Sequence, residues 1–284
     1  MRNSSLDVRP AFGPIGAVIH GIDLSKPVEE RIYREIRSAL NDHCLLFFKN
    51  QTITPAQHLA FGKLFGEIWV SPALGKVPGH PQVVEVRREP EDTHDHGGNW
   101  HSDQTYTELP LFGSILLARE LPASGGGDTM FANLCRAYDT LSDGLKKTLL
   151  GLRAVHTVDK RIAAVGIRET ARGMSEADKK RAATHPVVVR HPESGRKVLY
   201  VNPTYTVRFE GWTEEESKPL LDVLFRHASR PENTCRFHWE PGDIAFWDNR
   251  SCWHFAVQDY AGERRVMHRV SLQGSVPIPA EASA

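Results

Sequence analysis

The chain has no excess of charge of either sign and no long apolar run. Its 284 residues include 35 lysines and arginines and 35 aspartates and glutamates, so the formal charges cancel. No basic stretch alternates with aromatic residues, which is the pattern expected of a nucleic-acid-binding surface. The composition therefore argues against nucleic acid as a partner and favours a small molecule.

Cysteine is scarce, and no two cysteines have the spacing of a zinc or redox motif. The four are Cys44, Cys135, Cys235 and Cys252, a separation typical of reduced, partly buried thiols rather than of disulfides or a thiolate metal site. Apolar runs such as CLLFF at 44–48 are too short to span a bilayer, and the first ten residues lack the apolar centre of a signal peptide. We therefore expect a cytoplasmic protein without a membrane segment.

No repeat, low-complexity tract or Gly/Ser linker divides the chain, so we expect one domain over residues 1–284. Short β-rich runs recur on both sides of the middle, and helices are indicated at 28–43, 54–65 and 213–228. This pattern predicts a mainly β fold, a double-sheet jelly roll (a cupin-like double-stranded β-helix) decorated by α-helices. The charged, alanine-rich segment 159–184 is predicted to be a helical or mobile insertion that serves as a lid.

The segment NWHSDQTY contains a histidine and an aspartate two positions apart. We predict a strand at 100–106, in which His101 and Asp103 project from the same face. A second histidine from elsewhere in the fold would complete the facial triad of non-haem Fe(II) oxygenases, which consists of two histidines and one carboxylate. A zinc site with three protein ligands is the alternative on geometry alone.

Other histidines compete for these roles. His191 and Glu193 have a similar spacing, but the proline, serine and glycine around them indicate a solvated hairpin turn. His94 and His96 form a second cluster, whose acidic and glycine neighbours are more typical of an exposed loop. Apart from His254, the candidates for the third ligand are His156, His185, His227, His238 and His268.

His254 is distinguished by the two arginines that follow it. Arg265 and Arg269 lie 11 and 15 residues further along, and their spacing of four places both on one face of a strand. Two guanidinium groups at a metal site would suit two anions. A pair of surface salt bridges is the alternative interpretation.

Taken together, NWHSDQTY, SGGGDTMFAN, WDNRSCWHFA and GERRVMHRV resemble the TauD/TfdA family of Fe(II)- and 2-oxoglutarate-dependent dioxygenases. The similarity runs over nearly the whole chain, with IGAVIHGIDL, FGEI, WHSD, GGDT and WDNR in the expected order. The resemblance implies that His101, Asp103 and His254 are the catalytic iron ligands and that 2-oxoglutarate chelates the iron. It also implies that Thr129 and Arg265 hold the distal carboxylate of 2-oxoglutarate.

The same resemblance implies the reaction. O2 would be the second cosubstrate, succinate and CO2 the coproducts, and hydroxylation beside a heteroatom would cleave a C–O or C–S bond of a small organic anion. Arg269 matches the family position that pairs with the anion of the substrate. Because homo-oligomers are common in the family, we expect one here.

Three positions depart from the taurine pocket of the family, since Ser71, Leu74 and Gly97 stand where a histidine, an aromatic residue and an asparagine are expected. VVEVRREP, LYVNPTYTVRFEGWTEEESKPLL, TCRFHW and QDYAG look more like the aryloxyalkanoate-cleaving branch, especially its (R)-2-aryloxypropionate members. Aryloxyalkanoates are therefore the expected substrates, with alkanesulfonates and alkyl sulfates as alternatives. A zinc hydrolase and a noncatalytic binding protein are the alternatives from other classes. Besides Arg269, the predicted pocket residues are Trp69, Val70, Ser71, Gln104 and Tyr205.

Overall fold

The computed structural model describes residues 6–11, 13–72, 74–92, 97–159 and 180–280. The helices are α1 (Glu30–His43), α2 (Pro55–Lys63), α3 (Leu134–Asp139), α4 (Asp143–Leu150) and α5 (Glu214–Ala228). The strands are β1 (Asp7–Pro10), β2 (Ala17–His20), β3 (Leu45–Phe48), β4 (Ile68–Trp69), β5 (Lys76–Val77), β6 (His80–Arg88), β7 (Gly113–Glu120), β8 (Thr129–Asn133), β9 (Arg153–Thr157), β10 (Ala182–Pro186), β11 (Val188–Arg190), β12 (Lys197–Leu199), β13 (Thr206–Phe209), β14 (Thr234–Phe237), β15 (Ile244–Asp248), β16 (Cys252–Ala256) and β17 (Arg265–Leu272). None of the helices in these ranges is long and apolar enough to cross a membrane.

The strands form a large and a small sheet of the jelly-roll type. The major sheet has the order β1-β2-β3-β15-β7-β17-β6-β5, with β4 also paired to β17, and the minor sheet has the order β14-β8-β16. Of the described strand pairs, β2 and β3 are parallel and the others antiparallel. A further sheet, β10-β9-β13, and the hairpin β11-β12 complete the architecture. The predicted mainly β jelly roll with added helices is confirmed.

Alternate side chains of β3 face different layers of the molecule. Phe47 stacks on Phe237 of the minor sheet, with ring centroids 4.0 Å apart, whereas Phe48 meets Phe61 of α2 at 5.6 Å. Because successive side chains of a strand point to opposite faces, a continuous apolar run marks a strand covered on both sides. The major sheet is thus packed between the minor sheet and the helices α1 and α2.

The helices predicted at 54–65 and 213–228 both begin at a capping box. Thr54 accepts a hydrogen bond from the Gln57 N–H and its own N–H donates to the Gln57 side chain, with Pro55 at the first helical position. Thr213 and Glu216 form the same capping box at the start of α5. Such reciprocal bonds satisfy backbone N–H groups that the helix itself cannot pair.

Two segments differ from the sequence-based expectation. Residues 100–106 do not form a strand, because only His101 makes an isolated bridge, to His254, and 103–106 form a turn. Gln104 has a φ of 56°, in the left-handed region, which is incompatible with a continuing strand. The predicted lid at 159–184 falls largely outside the described residues, and its last residues belong to β10.

Candidate metal centre

Three buried side chains from two distant segments converge on one point. The ligand atoms of His101, Asp103 and His254 all lie within 4.8 Å of one another. Asp103 Oδ1 is 3.7 Å from His101 Nε2 and 3.8 Å from His254 Nε2. Two atoms that bind one ion at about 2 Å can be no more than about 4 Å apart, so both separations fit a single metal ion. Within the described ranges, no other three His, Cys, Asp or Glu side chains bring their ligand atoms this close together.

Backbone pairing places the two histidines side by side. His254 lies in β16, and its N–H donates to the carbonyl oxygen of His101 at 2.9 Å, while its carbonyl accepts from the His101 N–H at 3.1 Å. The two imidazole centroids are consequently 4.1 Å apart. His101 therefore extends the minor sheet by one pair of hydrogen bonds, although it does not lie in a strand.

The hydrogen bond made by His101 Nδ1 identifies the tautomer of this ring. Nδ1 lies 2.7 Å from the carbonyl oxygen of Asn99. Because a carbonyl oxygen can only accept, Nδ1 carries the hydrogen and Nε2 presents its lone pair toward Asp103. Metal-binding histidines are commonly oriented by such a bond from the other ring nitrogen.

The two carboxylate oxygens of Asp103 have different surroundings. Oδ1 faces the histidines, and Oδ2 accepts a short hydrogen bond from Nη2 of Arg269. Arg269 also donates to the Ser114 hydroxyl, from Nε at 3.1 Å and from Nη2 at 2.8 Å. This pairing fixes the outer oxygen and leaves the inner oxygen directed at the ligand group.

Arg265 is a buried cation without an ion pair to any residue in the described part of the chain. Its Nε makes no hydrogen bond there, and the residue is 6% exposed. The guanidinium packs so closely on Gly127 that a Cβ at this glycine would lie 2.8 Å from Nε. Burial lowers the pKa of Arg265, and Tyr260 and Asp128 oppose this shift only in part. A guanidinium in such surroundings is stabilised by a bound anion.

Thr129 lies two residues beyond Gly127, on which this guanidinium packs. It opens β8, directly after the 127–128 segment that contacts Arg265, and it pairs with Ala256, two residues beyond His254. Its hydroxyl oxygen accepts a hydrogen bond from Trp239 Nε1 at 3.0 Å, so the hydroxyl hydrogen can still be donated. Thr129 thus keeps a free hydroxyl donor close in sequence to the glycine that contacts Arg265.

Aromatic residues and a glycine surround the His101 ring. The ring centroid of Tyr205 is 6.2 Å from that of His101 and 5.0 Å from that of Tyr106. A Cβ on Gly97 would lie 3.8 Å from Cε1 of His101. The sequence had indicated Tyr205, but not Tyr106, whose aromatic side chain lies in a turn and follows no periodic pattern.

The remaining pocket candidates lie in two places. Gln104 directly follows Asp103 in the turn and is half-buried. Trp69 pairs with Ser271 of β17, two residues from Arg269. Ser71 follows in a buried position and accepts a hydrogen bond from the Leu74 N–H, whereas Val70 and Leu74 are exposed.

The other histidines considered as third ligands are not part of the converging group. His268 is adjacent to Arg269 in β17 and therefore points to the opposite face of the major sheet. His94 and His96 lie outside the described residues. The others have these hydrogen-bond partners: His156 with Thr105, His185 with Thr107, His227 with Ala137, and His238 with Asp128.

The His191 turn is the predicted hairpin, between β11 and β12, and Pro192, Glu193 and Gly195 at its tip are exposed, whereas His191 is buried. His191 is 2% exposed, and its Nε2 lies 2.9 Å from Oδ2 of Asp248. Glu193 pairs with Arg37 and Arg250. The prediction of a solvated tip is confirmed for these residues, but His191 itself is buried because the end of β15 brings the Asp248 carboxylate against this turn.

Comparison with known proteins identifies the family. A family model described as Taurine catabolism dioxygenase TauD, TfdA family matches residues 7–271. An alpha-ketoglutarate-dependent sulfate ester dioxygenase of Pseudomonas putida is 35% identical over 279 residues, covering 96% of this chain and 91% of that protein. An alkylsulfatase of Acinetobacter baylyi is 33% identical over 282 residues, covering 95% and 86%. The (S)-phenoxypropionate/alpha-ketoglutarate-dioxygenase of Sphingobium herbicidovorans is 28% identical over 280 residues, covering 95% and 96%.

A solved structure shows the same likeness in three dimensions. The crystal structure of a taurine dioxygenase from Burkholderia xenovorans superimposes with a TM-score of 0.83 at 37% identity, covering 97% of this chain and 93% of that one. The family match includes β16 and β17 as well as the turn with His101 and Asp103. Because this match spans residues 7–271 and the curated relatives reach 35% identity over nearly the whole chain, the chain belongs to the TauD/TfdA family of 2-oxoglutarate-dependent dioxygenases.

Proposed function

We propose that His101, Asp103 and His254 bind Fe(II) and that Thr129 and Arg265 hold the distal carboxylate of 2-oxoglutarate. The observation that carries this proposal is the convergence of two imidazole nitrogens and one carboxylate oxygen within 4.8 Å. Two neutral nitrogen donors and one anionic oxygen are the donor set of non-haem Fe(II) oxygenases. The burial of Arg265 without an ion pair to a described residue supports its role toward an anionic cosubstrate.

The bound iron would supply open positions for 2-oxoglutarate and O2 and couple the oxidation of 2-oxoglutarate to that of the substrate. The protein's own residues contribute orientation. Asn99 fixes the tautomer of His101, and Arg269 holds the outer oxygen of Asp103. Such positioning keeps the donor atoms converged before the ion arrives, which reduces the reorganisation that binding requires.

As the substrate we propose an organic anion oxidised beside an ether or ester oxygen, with sulfate esters first and aryloxyalkanoates second. The sequence motifs favoured aryloxyalkanoates, but the relatives named for sulfate esters are 35% and 33% identical, against 28% for the phenoxypropionate enzyme. Hydroxylation of the carbon next to the ester oxygen of R–CH2–OSO3⁻ gives R–CH(OH)–OSO3⁻, which releases R–CHO and HSO4⁻. O2 and 2-oxoglutarate are consumed, and succinate and CO2 are formed.

Arg269 is the proposed partner of the substrate's anionic group. Its guanidinium already lies at the ligand group through Asp103, so a bound anion would share it with that carboxylate. Replacing Arg269 with alanine should therefore weaken binding of the substrate that is oxidised together with 2-oxoglutarate, and should also perturb metal binding. Gln104, Tyr205 and Ser71 are proposed as further contacts of the substrate, because Gln104 and Tyr205 adjoin ligand residues and Ser71 follows a strand paired to β17.

The proposed function is tested with protein prepared anaerobically with Fe(II). Addition of 2-oxoglutarate should produce the weak visible charge-transfer band of the chelate, and its absence at millimolar 2-oxoglutarate would refute the cosubstrate assignment. O2 uptake is then measured against alkyl sulfates, aryloxyalkanoates and alkanesulfonates, with release of sulfate or phenol as the readout. Turnover without O2 or 2-oxoglutarate would instead support a zinc hydrolase.

A further inference from the structure

One asparagine closes the loop that begins with the Asp103 carboxylate. Oδ1 of Asn249 accepts a hydrogen bond from the Asp103 N–H at 2.6 Å. Its Nδ2 donates to the carbonyl oxygen of Asp103 and to that of Leu111, both at 3.0 Å. The side-chain amide thus holds both backbone groups of Asp103 and joins the two ends of the loop 103–111.

This clamp replaces a strand at the position where the sheet pairing stops. The ladder to β16 reaches only His101, and the Ser102 hydroxyl donates to the carbonyl oxygen of Cys252 at 2.9 Å. From Asp103 onward the chain turns, with Gln104 at a positive φ. The amide of Asn249 therefore satisfies backbone groups of a buried aspartate that no strand pairs.

The asparagine is itself rigidly held. It is fully buried, and its own N–H donates to the carbonyl oxygen of Phe112 at 2.9 Å. The preceding residue, Asp248, ends β15 and is bound by His191 and Arg250. A side chain that is packed and anchored on both sides can define the place of the backbone it binds.

We propose that Asn249 is a positioning residue for the metal-binding carboxylate of Asp103. It acts on the main chain of Asp103, whereas Arg269 acts on its side chain. The inference rests on the proposed function, because it assumes that Asp103 binds the ion. Its consequence is that metal affinity depends on an amide that is not itself one of the proposed ligands.

An Asn249→Asp substitution tests this role with almost no change in shape. The new carboxylate can still accept the Asp103 N–H, but its second oxygen would face the two carbonyl oxygens of Asp103 and Leu111, which also only accept. Repulsion there should displace Asp103 from the two histidines. Partners that orient metal ligands typically change metal affinity 10- to 100-fold when altered.

The probe is Co(II), titrated into metal-free protein without 2-oxoglutarate and followed by its visible ligand-field spectrum. We expect N249D to bind Co(II) about 10- to 100-fold more weakly than the unsubstituted protein, with an altered spectrum. The matched control is Asn233→Asp, a buried asparagine whose amide donates to the carbonyl oxygen of His227, in contact with neither Asp103 nor the loop. The N233D substitution should lower thermal stability without lowering the affinity for Co(II).

The outcomes separate this inference from the proposed function. If the unsubstituted protein binds no Co(II), the metal centre itself is refuted. If it binds Co(II) and N249D binds equally well, the positioning role of Asn249 is refuted. Should N249D not fold, Asn249→Ser, which is neutral and smaller, is titrated at low temperature. An N249S protein with unchanged Co(II) affinity overturns the proposal, and a 10-fold or greater loss supports it.

Discussion

Two clusters of histidine and aspartate in this molecule differ in whether the histidine and the carboxylate bind each other. In the cluster of His191, Asp248, Arg250 and Glu193, the Asp248 carboxylate binds His191 at 2.9 Å and Arg250 at 2.5 Å, and Glu193 binds Arg250 at 2.9 Å. In the group of His101, Asp103 and His254, the facing donor atoms are 3.7 and 3.8 Å apart.

The difference lies in what each arrangement still requires. In the first cluster the cation of Arg250 compensates the buried carboxylate, and this contact lowers the pKa of Asp248 in spite of desolvation. In the second group two imidazole nitrogens and one carboxylate oxygen converge at distances too long for hydrogen bonds between them. A buried histidine and carboxylate that are hydrogen-bonded to each other stabilise the fold. Converging donor atoms that are not bonded to each other favour a bound cation.

The largest effect should come from removing a converging donor. His101→Ala deletes one of three ligands, so Co(II) affinity should fall by more than the 10- to 100-fold typical of orienting residues, and turnover should be lost. The metal-free protein should remain folded, since no ion pair of the Asp248 kind is broken. Co(II) titration and thermal unfolding of the same preparation check both statements. Retained metal affinity would contradict the comparison.

The next largest effect should be a loss of unfolding free energy when the cluster of His191, Asp248 and Arg250 is broken. Arg250→Ala leaves the fully buried carboxylate of Asp248 without its main cation, which should lower the free energy of unfolding by about 3–5 kcal/mol. The control is Arg264→Ala, whose partners Glu120 and Glu89 are substantially exposed, and for which we expect at most about 1 kcal/mol. Denaturant titration measures both, and equal losses would mean that Arg250 is not a buried partner.

Arg265→Ala tests a buried cation that forms no ion pair with a described residue. The substitution should weaken 2-oxoglutarate binding about 10- to 150-fold, which corresponds to about 1.5–3 kcal/mol for a charge-assisted contact. Since no ion pair to a described residue is lost, the stability of the metal-free protein should fall less than in R250A. The control is Arg87→Ala on β6, which pairs with Glu85 and Glu89 at the surface. Similar 2-oxoglutarate affinities in R265A and R87A would refute the assignment.

The smallest expected effect is a change in how the free energy of unfolding depends on pH, and it comes from His58, which lies outside both clusters. Burial lowers the pKa of His58 to about 3, so this ring stays neutral in the folded protein while the unfolded chain takes up a proton below about pH 6.5. The stabilisation is therefore complete above pH 6.5 and is lost as the pH falls toward 3, by about 2 kcal/mol at pH 5. Between pH 7 and pH 5 the H58Q protein should therefore lose about 2 kcal/mol less unfolding free energy than the unsubstituted protein, as measured by denaturant titration. If the unfolding free energies of the two proteins fell equally with pH, the lowered pKa of His58 would be contradicted.

The fold could be predicted from sequence wherever a segment's own pattern sets its structure. The helices expected at 28–43, 54–65 and 213–228 are present, because apolar periodicity and caps act locally. The predicted strand through His101 and Asp103 failed, because the Asn249 amide stabilises a turn there from 146 residues away. The expected homo-oligomer and the single domain over 1–284 remain predictions.

The site was predictable to the extent that side-chain chemistry and family motifs reveal it. His101, Asp103 and His254 come together as expected, and Arg265 is buried as an anion site would require. The contact between Arg269 and Asp103 was not foreseen, since spacing along β17 gives a face and not a partner. Asn249 lay within the quoted WDNR motif, but no sequence pattern states that its amide binds a distant main chain.

The bridge between His101 and His254 links the proposed metal site to the alignment of the strands. The two rings stand together only because β16 pairs with β8 so that His254 is opposite Phe131 and in turn opposite His101. A shift of one residue in that pairing would turn the His254 side chain to the other face of the sheet. A folding chain should therefore acquire tight metal binding only when its minor sheet has reached the native register, and uptake of the ion would report that event.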